Sequence, residues 1–262
     1  RIGVTKDVMY TNYNSGRIDL LPDGSKIWRL KFHMEGATFT SMNFSTFEIP
    51  NGAELYLYTP DQEYVIGKFT NANLMEDGTF YPQEMPGDEI IVEYYEPANA
   101  AFAGKLVIDQ ISQGYYDFFH IYEKDVEGGL GNAEGTCHPN AICYDATWHD
   151  QIQSVVCYTM TSGGYVYMCS GAMVNNTARD GKQYLLSANH CYEAGTWKFY
   201  FNYQATTCQG TNGSTLRTAT GYTLKAKDDG DSSSDFMLVE ITGTINPTFN
   251  VFLAGWNNTT TA

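Results

Sequence analysis

Short runs in which apolar and polar side chains alternate fill the first half of the chain, with turn-forming residues between them. Residues 26–34, 41–49, 54–59, 63–69, 89–95 and 105–111 read as strands, since a period of two places every second side chain on one face of a pleated sheet. The breaks are Pro22-Asp23-Gly24, Pro50-Asn51-Gly52, Asp77-Gly78 and Pro86-Gly87-Asp88. In such combinations proline presets φ and glycine takes the left-handed positions. No long stretch has a helical period, so residues 1–118 are predicted to form a β-sandwich or jelly roll. Residues 119–136 then lapse into a polar stretch carrying Gly128, Gly129, Gly131 and Gly135 among Glu123, Asp125, Glu127 and Glu134. That composition predicts a solvated tether.

Beyond the tether, residues 152–160, 165–174, 182–188, 197–204, 219–227 and 236–242 again read as strands. Six strands of this length suit one small closed barrel within residues 137–262. The last residues, Asn257-Asn258-Thr259-Thr260-Thr261-Ala262, read as a loop cut short.

Composition sharpens this division. With 262 residues, 43% hydrophobic and 15% aromatic, the chain can fill one large core or two moderate ones. The alternating Tyr and Phe of the first half read mainly as core, the other reading being stacking platforms for a sugar. A net charge of -15 with no basic run disfavours nucleic acid and anionic membranes as partners. No apolar stretch reaches the 18 residues of a membrane span, and Arg1 opens the chain without a charged-then-apolar leader. All six cysteines, Cys137, Cys143, Cys157, Cys169, Cys191 and Cys208, lie in the second half and contain no C-x-x-C pair. They suit disulfides in a secreted or periplasmic protein, against the alternative of reduced core cysteines in a cytosolic one.

Candidate chemistry falls at two places in the expected barrel. Leu185-Leu186-Ser187-Ala188-Asn189-His190-Cys191 delivers a histidine from an apolar strand beside a cysteine. Asp235 stands directly before the apolar run Phe236-Met237-Leu238-Val239-Glu240-Ile241, where a buried carboxylate would need a donor. His190 also has a structural or metal-ligand reading, although no second histidine of the barrel falls into a metal spacing. Asp228-Asp229-Gly230-Asp231 reads as a solvated turn or a calcium loop, and it lacks the oxygen-ligand spacing of an EF-hand. Nothing in the chain calls for a cofactor or a metal.

Cys169-Ser170-Gly171-Ala172-Met173-Val174, Ser187-Ala188-Asn189-His190-Cys191 and Ser234-Asp235-Phe236-Met237-Leu238 together resemble the first-barrel motifs of trypsin-like, chymotrypsin-fold serine endopeptidases, and bacterial lysyl endopeptidases in particular. Gly135-Thr136-Cys137, Val174-Asn175-Asn176-Thr177, Asn202-Tyr203-Gln204 and Asn250-Val251-Phe252-Leu253-Ala254-Gly255-Trp256 extend the likeness over nearly all of residues 135–256. The first half is similar, more weakly, to the β-rich propeptide of such enzymes, mainly through its position and through Gly52-Ala53-Glu54-Leu55-Tyr56-Leu57-Tyr58.

The resemblance implies an all-β chain: a sandwich prodomain, then the first six-stranded barrel of the chymotrypsin-like fold. It implies that His190 is the general base and that Asp235 orients it. It pairs Cys169 with Cys191 and Cys143 with Cys208, and leaves Cys137 and Cys157 to bond each other or partners beyond Ala262. Yet no Gly-x-Ser-Gly element occurs. Ser187, Ser232, Ser233 and Ser234 read as strand or loop hydroxyls, so the nucleophile is expected in a C-terminal segment of the same protein that this chain lacks. The chain is then a zymogen or zymogen fragment, inactive alone, whose full-length form cuts polypeptide substrates, with a basic residue before the cleaved bond as the suggested preference. Processing in the tether would fall after Lys124, or after Glu123, Glu127 or Glu134 for a Glu-specific enzyme. The alternative is an inactive homologue acting as an extracellular binding module.

Overall fold

Alternation of inward and outward side chains builds the first nine strands. They are β1 (Gly3–Thr11), β2 (Arg17–Leu20), β3 (Lys26–His33), β4 (Phe39–Glu48), β5 (Glu54–Tyr58), β6 (Val65–Phe69), β7 (Met85–Pro86), β8 (Glu89–Glu96) and β9 (Lys105–Gly114). In β8 every second residue is buried, Ile90, Val92 and Tyr94 facing inward while Ile91, Glu93 and Tyr95 face out. Antiparallel pairing arranges the strands as one sheet ordered β1-β9-β4-β7 and a second ordered β2-β3-β8-β5-β6. The two bury a shared core that includes Trp28, Phe44, Phe47, Leu55, Leu57 and Ile108. Its aromatic centre is Phe80, 4.5 Å from Phe47 and 4.8 Å from Phe69 between ring centroids.

The computed structural model describes residues 1–117, 119, 140–208, 213–228 and 234–257. The candidate processing residues Glu123, Lys124, Glu127 and Glu134 lie outside the described residues, as do Cys137, Asp229, Gly230, Asp231, Ser232 and Ser233. The chain divides into two compact units, one of Arg1–Ala133 with Gly164–Val166 and the other of Glu134–Gly163 with Tyr167–Ala262.

Polar residues open the second unit. Helix α1 (Asp145–Ser154) precedes β10 (Val155–Ser162), and the rest is β11 (Tyr165–Val174), β12 (Tyr184–Ala188), β13 (Thr196–Phe201), β14 (Thr218–Thr220), β15 (Tyr222–Lys227) and β16 (Phe236–Ile241). Two expectations are corrected here. Residues 152–154 belong to α1 and not to a strand: the segment Asp145-Ala146-Thr147-Trp148-His149-Asp150-Gln151-Ile152 has no apolar stripe to betray a helix, and only Gln153 and Ser154 are buried. The strand expected over 219–227 is two strands, because Gly221 adopts φ +84° between β14 and β15.

That bend curls the sheet into a barrel. Strand neighbours run β14-β13-β10-β11-β12-β16-β15, so the two ends of the sheet are consecutive pieces of chain. Gly221 bonds in both directions, its N–H to Trp197 O and its carbonyl to Thr242 N–H. Only a residue that tolerates the left-handed region can serve both edges in this way. Met160, Met173, Leu185, Trp197, Phe199, Met237, Val239 and Ile241 fill the interior. The chain is thus all-β in character, with an antiparallel sandwich and a curled barrel of the chymotrypsin-like kind.

Candidate active site

β12 and β16 pair antiparallel with Ala188 opposite Phe236, which sets the residue after one strand beside the residue before the other. Asn189 N–H donates to Asp235 O at 3.0 Å and extends the ladder by one bond. Here β12 passes into a single 3-10 turn, Asn189–Cys191, which lifts the His190 ring off the strand line. Asp235 has φ +46°, a left-handed conformation that costs a non-glycine residue ~1 kcal/mol or more and that recurs at functional positions.

With both backbones so placed, Asp235 grips His190 twice. Its Oδ1 accepts the His190 backbone N–H at 2.9 Å, and its Oδ2 lies 2.6 Å from His190 Nδ1. The bond from the ring, then the bond from the backbone N–H, hold the Asp235 carboxyl below the usual carboxylate range. An ionised carboxylate only accepts, so Nδ1 carries the proton and Nε2 presents its lone pair away from the aspartate. The expected burial of Asp235 is not found: its side chain is 50% exposed and that of His190 72% exposed. The carboxylate finds its donors in the histidine turn, at the open rim where β16 begins, so depth in the core is not needed to hold it.

The turn is tied down on its far side as well. Cys191 is disulfide-bonded to Cys169 of β11, with the Cα atoms 6.2 Å apart. Cys143 is bonded to Cys208, Cα atoms 5.0 Å apart, joining the residues before α1 to those after β13. Cys157 forms no disulfide among the described residues and lines a pocket of about 410 Å³ with Ile152, Val155, Met168, Cys169 and Tyr203. Ser187 points its hydroxyl at Ser170 O, 2.8 Å away, so it takes the role of a strand hydroxyl. Ser234 Oγ lies 3.3 Å from Asp228 Oδ2. Among the described residues no three His, Cys, Asp or Glu side chains converge in a way that could hold a metal.

A second histidine-aspartate contact provides a contrast. His149 Nδ1 lies 2.8 Å from Asp145 Oδ1, four residues apart on the exposed helix α1, with no strand register, disulfide or backbone bond to fix it. His190 and Asp235 are 45 residues apart and are brought together by the sheet itself. Sequence reasoning missed Tyr158, whose hydroxyl reaches Ser187 under this turn at 2.8 Å. Alternation marks it only as a core aromatic, and nothing local announces the hydroxyl's partner.

Residues 131–262 match the family model described as lysyl endopeptidase, C-terminal domain. A curated relative, the lysyl endopeptidase of Pseudomonas aeruginosa, is 26% identical over 254 residues, covering 91% of this chain and 53% of the relative. The chain therefore spans about half the length of the curated relative it matches.

Proposed function

This chain belongs to the lysyl endopeptidase family, and from that membership we propose that it is the prodomain and first barrel of a secreted serine endopeptidase zymogen. The observation that carries the reading is the His190 ring held by Asp235 through Nδ1 and through the backbone, with Nε2 left to work. His190 Nε2 takes the proton of an attacking serine hydroxyl as its oxygen bonds to the scissile carbonyl, then returns that proton to the leaving amine. Water repeats the sequence on the acyl-enzyme. Asp235 keeps the ring in the productive tautomer and favours the imidazolium as it forms.

The serine comes from residues outside this chain, which contains no Gly-x-Ser-Gly element. Preference for lysine before the cleaved bond rests on the relative's name alone. Two disulfides suit an oxidising compartment, and among the described residues no helix is long and apolar enough to cross a membrane. In this reading the sandwich is a prodomain released by a cut within residues 119–136. Lys124 is the sole Lys or Arg there, so a lysine-specific enzyme maturing itself would cut after it.

The test is to express the complete gene and determine the amino terminus of the product and its activity on a Lys-X peptide bond. His190→Ala and Asp235→Asn are expected to lower kcat by ~10⁴-fold or more. In His190→Ala the cut after Lys124 should disappear. A full-length product that lacks peptidase activity after tether cleavage would move the reading to an inactive homologue that binds partners.

A further inference from the structure

Hydroxyl groups join three strands directly beneath the His190 turn. Ser187 Oγ on β12 lies 2.8 Å from Ser170 O on β11 and 2.8 Å from the Tyr158 hydroxyl on β10. A carbonyl oxygen can only accept, so the one serine proton is committed to Ser170. The Tyr158 hydroxyl must then donate to Ser187 Oγ, and the direction of both bonds is set.

Packing fixes the donor. The Tyr158 ring is fully buried and lies parallel to Trp197, with 4.9 Å between centroids and 8° between planes. Phe199 closes on it at 5.9 Å. Burial pushes the hydroxyl's pKa up to about 12, so it keeps its proton throughout the working range of a histidine base.

The relay is placed to control the histidine. Ser187 stands three residues before His190, and Cys191 follows it. Ser170 and Cys169 are neighbours on β11, so this strand holds the turn on both sides of the ring, by a hydroxyl before it and by the Cys169–Cys191 disulfide after it. Asp235, directly before β16, supplies the third hold.

We propose that Tyr158 is a positioning residue for His190: its hydroxyl, acting through Ser187, clamps the end of β12 to β11 and fixes the height at which the ring meets its substrate. This rests on the reading of His190 as the general base. Reacting groups misplaced by about 1 Å can lose ~10²-fold in rate, so removal of a hydroxyl that leaves the packing intact is expected to cost roughly tenfold in kcat.

The experiment uses the full-length protease with Tyr158→Phe, Ser187→Ala, Ser187→Thr and the Tyr158→Phe/Ser187→Ala pair, measuring kcat, KM and thermal midpoint. Tyr158→Phe and Ser187→Ala should each lower kcat roughly tenfold, with KM within about twofold of wild type. The pair should lose no more than Ser187→Ala alone, because the tyrosine acts through the serine, and Ser187→Thr should recover most of the loss by restoring the hydroxyl. Wild-type kcat in Tyr158→Phe, with activity abolished by His190→Ala, overturns the relay and leaves the catalytic reading standing. Independent, additive losses in the pair also overturn it. If Tyr158→Phe fails to fold, the serine variants decide: a kcat that follows the thermal midpoint and is not recovered by threonine counts against positioning. Full activity in His190→Ala overturns the relay together with the reading on which it rests.

Discussion

Glu96, at the end of β8, is a carboxylate withdrawn from water with three donors converging on it. Oε2 accepts the Gly104 N–H at 2.7 Å and the Tyr94 hydroxyl at 3.1 Å, while Lys26 Nζ lies 3.0 Å from Oε1. Burial pushes the carboxyl up, but the Gly104 amide, Lys26 and Tyr94 outweigh it, and the group titrates below its ordinary value. A carboxyl with a depressed folded pKa contributes stability that is complete above its unfolded pKa and is lost as pH falls through the folded one. The sandwich is therefore expected to weaken below about pH 4. Glu96→Gln keeps the shape and gives up the charge, and should cost ~2–3 kcal/mol near neutrality while flattening that acid limb, as denaturant titrations across the acid range would show. None of this was readable in the chain, because Lys26 is 70 residues away and the Gly104 contact depends on the fold of the intervening loop. His190 and Asp235 were readable, since each stands at the edge of an apolar strand inside a recognisable run of neighbours. Their openness to solvent was not, since it depends on where the rim of the barrel falls.

Closure of the barrel depends on two glycines. Gly221 bonds to both edges with φ +84°, and a Cβ on Gly243 would overlap the Thr220 carbonyl oxygen. Gly221→Ala should cost ~1–2 kcal/mol, the penalty of forcing a side chain into the left-handed region. Gly243→Ala should cost more, because backbone must move, and hydrogen exchange should show β14 and β15 losing protection ahead of β10. The single expected strand over 219–227 was topologically sound, since β14 and β15 continue one another through the bend. The break itself escaped notice because Gly221 interrupts an otherwise strand-like run, and a glycine there is also compatible with a plain strand. The short strands β2 and β7 offered too few residues for a period to register. In β1 most side chains are exposed or half-exposed, so its apolar residues do not mark out one buried face.

Reduction should act on one unit and spare the other. Every cysteine lies at residue 137 or beyond, and the core containing Trp28, Phe44 and Leu57 holds no sulfur bridge. Bridges closing 22 and 65 residues are worth ~3 and ~4 kcal/mol by loop entropy. Exchange mass spectrometry in dithiothreitol should therefore show β12, β13 and β16 losing protection while β4, β8 and β9 keep theirs. Equal loss in both units would contradict two separately stabilised cores.

The register of β12 with β16 also has a meaning in time. A ribosome emits ~5–20 residues per second, and only 45 positions separate the histidine from the aspartate bonded to it. The contacts that hold the turn come from residues between Tyr158 and Asp235, so the pairing can begin once β16 has cleared the exit tunnel, with the Cys169–Cys191 bridge following in an oxidising compartment. Under the proposed reading, in which the serine lies outside this chain, the base is set by pairing within one barrel while the power to cut waits on a separate part of the protein.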